Sequence, residues 1–276
     1  MAIKLPTADL LIVNPSTGRI NLEWYAALKQ LANSTDSHDP IDLLETLGFA
    51  GNDPFTKILL HFDGTDASTT VTDTNAGGSD HTWTAAGNAQ IDTAESKFGG
   101  ASGLFDGTGD YVSTPDHADF TLGSSDFTVD VWFNCTKAAG SFANIIGQND
   151  NVAANSSFFI VRNTINVITF RVSNGSSFAI VTGTTVFTDS VNTGWHHLAC
   201  VRTSNILRMF IDGVQEGGNI SFSGSVPDSA LVFGVGSNGG TTANLWTGWI
   251  DEFRLSVGIA RWTANFTPPT AAYGPK

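Results

Sequence analysis

The sequence predicts an all-β protein: a two-sheet antiparallel sandwich preceded by a small extended and helical arm. Three observations predict it. Short apolar runs recur from Lys57 onward, separated by Gly, Asp, Asn and Ser, without the strand–helix alternation of parallel sheets. The stretch Asp126 to Cys135 alternates strictly, with Phe127, Val129, Val131 and Phe133 on one face and Thr128, Asp130, Trp132 and Asn134 on the other. The composition, with 29 Gly, 19 Phe and only 14% charged residues, suits many short strands around an aromatic core.

In chain order, residues 1–56 form the arm. Pro6 and Pro15 bracket the extended run Leu10 to Val13, and two short helices follow. Asn21 caps the first, whose apolar face carries Leu22, Tyr25 and Leu28; Asp39 caps the second, with Pro40 at its first position. Helices this short need a partner surface, either the sandwich itself or, in an attachment and oligomerisation arm, sister copies or a larger assembly; in the second case Leu11, Val13, Leu22, Trp24, Tyr25 and Leu28 are the expected contact residues.

Residues 57–276 form the sandwich and a C-terminal strap. Strands are expected at 58–62, 69–72, 81–84, 103–105, 110–113, 126–135, 144–148, 158–162, 167–172 and 178–182. They continue in the hairpin 195–202 and 206–211, turned by Thr203-Ser204-Asn205, and then at 231–234 and 247–256. Pro268 and Pro269 make 262–269 a strap, not a central strand.

The formal charge of −13, from 13 basic and 26 acidic residues, argues against a nucleic-acid backbone as partner. Twenty-one of the acids are Asp, a turn and cation-ligand residue. Cys135 and Cys200 both fall on expected strands, and two reduced, buried thiols are expected. No apolar run reaches the ~18 residues of a membrane span. The N-terminus is a poor signal peptide, so assembly in a cytoplasm is expected.

The segments LLHFDGT (59–65), 96–133, GWHHLACVRTSNILRMFIDGVQ (194–215) and GWIDEFRLSVGIARWTANFTPP (248–269) resemble the laminin-G-like, concanavalin A-like lectin/glucanase superfamily. The resemblance implies a jelly roll of two antiparallel sheets with a concave face. The variant with HFDG near its start and IDEFRLS near its end looks most like domains of bacteriophage virion proteins, and VNPSTGR (13–19) resembles their N-terminal anchors. By implication the chain is a virion fibre, spike or decoration protein, assembled in the host cytoplasm beside other virion structural proteins. Analogy suggests a homotrimer and bacterial surface polysaccharide as its ligand. Rival readings are a purely structural decoration protein and a glucanase-like hydrolase.

Against hydrolysis stands the carboxylate census. The five Glu (Glu23, Glu45, Glu95, Glu216 and Glu252) form no E-x-D-x-x-E motif, and on a regular strand Asp251 and Glu252 point apart. Of His196 and His197, one is expected to be buried and hydrogen-bonded and the other at the surface. No nucleophile elbow or P-loop is present. Related jelly rolls often carry Ca²⁺, and the resemblance points to Asp63 and Asp251, at the ends of the first and last strands, as its carboxylate ligands. For carbohydrate the candidates are Trp132 and Asp130 on a polar strand face and Asn149, Asp150, Asn244 and Trp246 in or beside loops. For any single Trp, burial in the core is the competing expectation.

Overall fold

The structure, a computed structural model, describes residues 51–239 and 243–274. Two antiparallel sheets pack face to face. The first has eight strands: β13 (Val214–Ser221), β12 (Ile206–Ile211), β11 (Trp195–Thr203), β6 (Phe127–Cys135), β15 (Thr247–Val257), β4 (Ser102–Asp106) and β3 (Gln90–Asp92), with β1 (Thr56–Leu60) also paired to β15. The second has seven: β10 (Phe178–Val186), β9 (Val167–Ser173), β8 (Phe158–Arg162), β7 (Ala143–Gly147), β14 (Phe233–Val235), β5 (Tyr111–Thr114) and β2 (Thr84–Ala86). This is the expected all-β sandwich. Among the described residues the helical content is one 3₁₀ turn, Ala118–Phe120.

β6 behaves as its alternation dictates. Phe127, Val129, Val131 and Phe133 are buried between the sheets. Across the gap Phe127 meets Phe158 at 6.2 Å, and Phe158 meets Phe233 at 5.8 Å. Such offset and edge-on pairs add to the burial energy of large rings. Cys135 and Cys200 are free and buried. In register Cys200 lies opposite Val129, six positions along β6 from Cys135, so the two thiols are not cross-strand neighbours.

Strand β15 organises the first sheet. One edge pairs with β6; the other pairs with β4 along Thr247 to Ile250 and with β1 along Phe253 to Ser256. Between Asp251 and Arg254 three steps on β15 match two on β6, from Trp132 to Asp130. That is a β-bulge, and Glu252 carries its left-handed backbone (φ 49°).

Two expected strands are missing or shifted. No strand forms at 69–72, and the one expected at 81–84 begins at Thr84. The intervening backbone spends its hydrogen bonds on side chains instead: Ala76 N–H donates to Asn52 Oδ1 at 2.8 Å, and Gly78 N–H to Asn75 Oδ1 at 2.6 Å. Conversely, β3 and β13 are polar or Gly-containing segments without an apolar run to announce them. Their neighbours' open edges make them strands.

The outer face of the eight-stranded sheet is covered by the chain's own C-terminus. Trp262 and Phe266 stack on each other at 4.2 Å and lie over Ala199, Val201 and Phe210. The expected strap is therefore a lid on this face. The arm residues Leu11, Val13, Leu22, Trp24, Tyr25 and Leu28 lie outside the described residues.

Candidate functional site

The two outer faces differ, and the difference sorts the candidate residues. Beneath the strap Asp130 is fully buried. Arg254 Nε and Nη2 donate to its two oxygens at 2.9 and 3.2 Å, and the Tyr273 hydroxyl donates to Oδ2. Burial works against the carboxylate, but the Arg254 guanidinium outweighs it and holds Asp130 down at about 2. Trp132 is buried beside it, with Lys97 Nζ 3.9 Å over its ring and Phe98 edge-on at 5.8 Å. Neither residue reaches a sugar: the face that the alternation marks as polar is closed by the strap and the Lys97–Phe98 loop. Trp246 is likewise no sugar platform. It is fully buried, edge-on to Phe133 at 5.8 Å.

The histidine pair is corrected in part. His196 is half-exposed and paired to Asp212 at 2.6 Å. His197 is buried, as expected of one of the two, but its ring nitrogens make no hydrogen bond. Its Nε2 stands 3.6 Å from Asp130, and Trp262 and Phe266 meet its ring edge-on.

The outer face of the seven-stranded sheet carries a small cleft, although Phe159 and Val161 at its floor are buried. On β8, Phe158 and Ile160 enter the core, so Phe159 and Val161 point outward; on β9, Ile168, Phe170 and Val172 enter it, leaving Arg171 outside. A cleft of about 350 Å³ lies here, lined by Phe142, Asn144, Phe159, Val161, Arg171 and the loop residues Asp150, Asn151, Asn238, Ala243 and Asn244. That volume is at the small end for a ligand site. Its loops are prebuilt. Asn144 N–H donates to Asn244 O at 2.7 Å, and Asn144 Nδ2 to Ala243 O at 3.2 Å. Asp150 accepts from Asn155 Nδ2 at 2.8 Å and Val152 N–H at 2.9 Å, and these bonds hold its carboxyl below the usual range. The Arg171 guanidinium lies 5.3 Å over Phe159, and Phe142 is 39% exposed at the rim.

Of the residues expected to bind carbohydrate, the structure thus brings Asp150 and Asn244 together in one cleft. Asn149 is buried behind it: its Oδ1 accepts Asn151 N–H and the Ser156 hydroxyl, so it shapes the loop. Trp246 has a similar supporting place, its N–H bonded to Gly236 O beneath the loop that carries Asn244. Phe142, Phe159 and Arg171 escape the sequence reading. The outward phase of β8 and β9 was the available signal for two of them.

A second cluster sits at the bulge. The Asp251 Oδ2 accepts Lys97 N–H at 2.8 Å and Phe98 N–H at 3.0 Å, while its Oδ1 is buried without a partner. Burial, then repulsion from Glu252, pushes Asp251 up to about 8. Glu252 bonds His61 Nδ1 at 2.6 Å and accepts Tyr273 N–H at 2.9 Å. Burial works against the charged form of His61, but Glu252, Asp63 and Asp251 all favour it and raise His61. Burial and Glu252 also raise Asp63. The Asp63 carboxylate occupies the space a Cβ on Gly99 would need (1.9 Å), and Gly99 is left-handed (φ 64°). Asp63 and Asp251 thus flank one loop, Lys97 to Gly100. The unpartnered, buried Asp251 Oδ1 is the one oxygen here that a hard cation would satisfy.

The architecture is that of a jelly-roll sandwich with a strap over one outer face and a small cleft on the other. Residues 106–258, more than half of the chain, match the concanavalin A-like lectin/glucanases superfamily, and the chain belongs to it. No curated protein sequence matches the chain. Among solved structures it is similar to the binding domain of Paraclostridial Mosquitocidal Protein 1 (14% identity, TM-score 0.55, 74% of this chain and 49% of that one). It is also similar to the botulinum neurotoxin serotype D binding domain (12%, 0.57, 75% and 49%). A third is the binding domain of botulinum neurotoxin DC in complex with SialylT (14%, 0.54, 74% and 48%). The chain spans about half the length of these three, and at such identities the likeness is one of fold.

Proposed function

We propose that this chain is a non-enzymatic carbohydrate-binding protein that takes a glycan end into the cleft on the seven-stranded sheet. The observation that carries the reading is the composition of that cleft. Amides from Asn144, Asn151 and Asn244 can bond hydroxyls, Phe142 offers a rim plate for a sugar face, and Arg171 supplies a cation. Arg171 favours a carboxylate-bearing sugar, set against a chain whose formal charge is −13. Glycosidase chemistry needs two facing carboxyl groups, and among the described residues lining the cleft Asp150 is the one carboxylate.

Arg171→Gln is expected to weaken binding to acidic glycans on an array roughly tenfold or more, the loss of one charge-assisted hydrogen bond of about 1.5–3 kcal/mol. Phe142→Ala should weaken acidic and neutral glycans alike. Both positions lie outside the main core, so the melting temperature should hold. An array with no wild-type signal would favour a purely structural role, and release of reducing ends would point to a hydrolase.

The proposed setting is a phage particle, with residues 1–56 attaching the protein to other virion components and bringing copies together so that weak sites act jointly. Antibody labelling of assembled particles tests this. A homotrimer follows from analogy, and light scattering of the full chain reads it. The proposed ligand of Asp63 and Asp251 is Ca²⁺, completed by carbonyls of the Lys97–Gly100 loop. Its role is to fasten that loop to β15.

A further inference from the structure

We propose a second, independent metal site, for Zn²⁺, formed by His81, His117 and Asp119 where the loop before β2 meets the 3₁₀ turn Ala118–Phe120. The ligand atoms of these three residues lie within 4.8 Å of one another. Asp119 Oδ2 is 3.3 Å from His81 Nε2 and 3.2 Å from His117 Nδ1. Ligands held 2.0–2.1 Å from a tetrahedral zinc stand about 3.3 Å apart, so two of the three spacings already have the value zinc imposes.

The deciding atom is His81 Nε2. The His81 side chain is 3% exposed, enclosed by Phe120 at 4.7 Å and His117 at 5.0 Å. Its Nδ1 meets Asp73 Oδ2 at 2.7 Å. Asp73 is itself fixed, its Oδ1 accepting Leu59 N–H at 3.0 Å and Asn75 N–H at 3.1 Å. This carboxylate holds the proton on Nδ1 and leaves Nε2 with a bare lone pair, 3.3 Å from Asp119 Oδ2 and not aligned on it. Nε2 is buried and makes no hydrogen bond. A bare lone pair and a carboxylate oxygen this close, joined by no hydrogen bond, leave a place for a cation bound to both. The carboxylate–histidine arrangement behind it orients an imidazole for metal.

Asp119 Oδ2 accepts Ser79 N–H at 2.6 Å, and the His117 Nδ1 lone pair accepts Asp119 N–H at 3.1 Å, a bond that zinc must displace. The His117 side chain is 41% exposed, so the site has an entrance and room for a water as fourth ligand. Imidazole nitrogens with a carboxylate suit zinc better than Ca²⁺, which prefers oxygen alone. Bound there, zinc would clamp the loop that carries His81 to the 3₁₀ turn.

The test is titration of chelator-stripped full chain with Zn²⁺, followed by calorimetry and thermal melting, and with Co²⁺, followed by its visible spectrum. One equivalent should bind, raise the melting temperature and give the intense d–d bands of a tetrahedral cobalt site. His117→Ala, which also removes the cap of the 3₁₀ turn, should weaken binding at least tenfold, as should Asp119→Asn, which leaves that cap in place, while the Ca²⁺ response stays intact. The proposal is overturned by a wild-type chain that takes up no Zn²⁺, by binding that both variants retain, or by a weak octahedral cobalt spectrum.

Discussion

Arg254→Ala should cost about 3–5 kcal/mol of folding stability, the toll for stripping a buried carboxylate of its partner. That is a large share of the ~5–15 kcal/mol that holds an ordinary domain folded. Arg254 is 1% exposed and Asp130 is fully enclosed, so no water replaces the lost guanidinium. The same side chain donates from Nη1 to Gly51 O at 2.6 Å and lies 3.7 Å over the Tyr273 ring. It therefore fastens both ends of the described chain to the middle of the eight-stranded sheet. The paired change Asp130→Leu with Arg254→Met removes both charges and should recover much of the loss. Urea unfolding reads the effect, and a single variant whose midpoint matched wild type would sink it. Asp130, held near 2, adds stability that is present above the unfolded carboxyl value and lost as pH falls through 2.

For Asp251 the sign reverses. Its folded pKa of about 8 lies above the unfolded value of 3.8, so between those limits the folded state binds more protons than the unfolded one. Stability of the metal-free protein should fall as pH rises from 4 to 8, by an amount on the order of 5 kcal/mol at most. Asp251→Asn keeps an oxygen for the Lys97 and Phe98 amides but carries no charge. It should flatten the slope and make the metal-free protein more stable than wild type at pH 8. Ca²⁺ should restore wild type at pH 8 and leave the variant unmoved. Parallel melting curves for the two proteins across pH, with Ca²⁺ acting equally on both, would refute the assignment.

Much of the fold is legible in the sequence because burial sets strand phase. Phe158–Arg162 and Ile206–Ile211 begin and end where the apolar runs do. The site is less legible. That Trp132 and Asp130 share a polar strand face follows from alternation; that the face is sealed depends on where residues 260–273 lie in space. Asp150 and Asn244 are readable as polar loop residues, but Phe159 and Arg171 gain their meaning only once the inward phase of two neighbouring strands is known. The bulge at Glu252 is a single inserted residue with no hydrophobic signal, yet it brings Asp251 and Glu252 to the same end of the sheet.

The pairing of β15 has a consequence in time. This strand lies between β6 and β4 and also holds β1, so a segment made after every other described strand occupies the interior of the sheet. Thr56 pairs with Ser256, and that loop must close before its contacts repay the entropy. A growing chain therefore carries unpaired strand edges until β15 emerges, and Ala199, Val201 and Phe210 remain uncovered until Trp262 and Phe266 follow. Completion is abrupt, not progressive. A chain ended at Gly258, where the family match stops, should accumulate as insoluble protein, measurable as the soluble fraction after expression beside the full chain. Solubility of the sandwich is thus expected to arrive with Trp262 and Phe266, after its strands are complete.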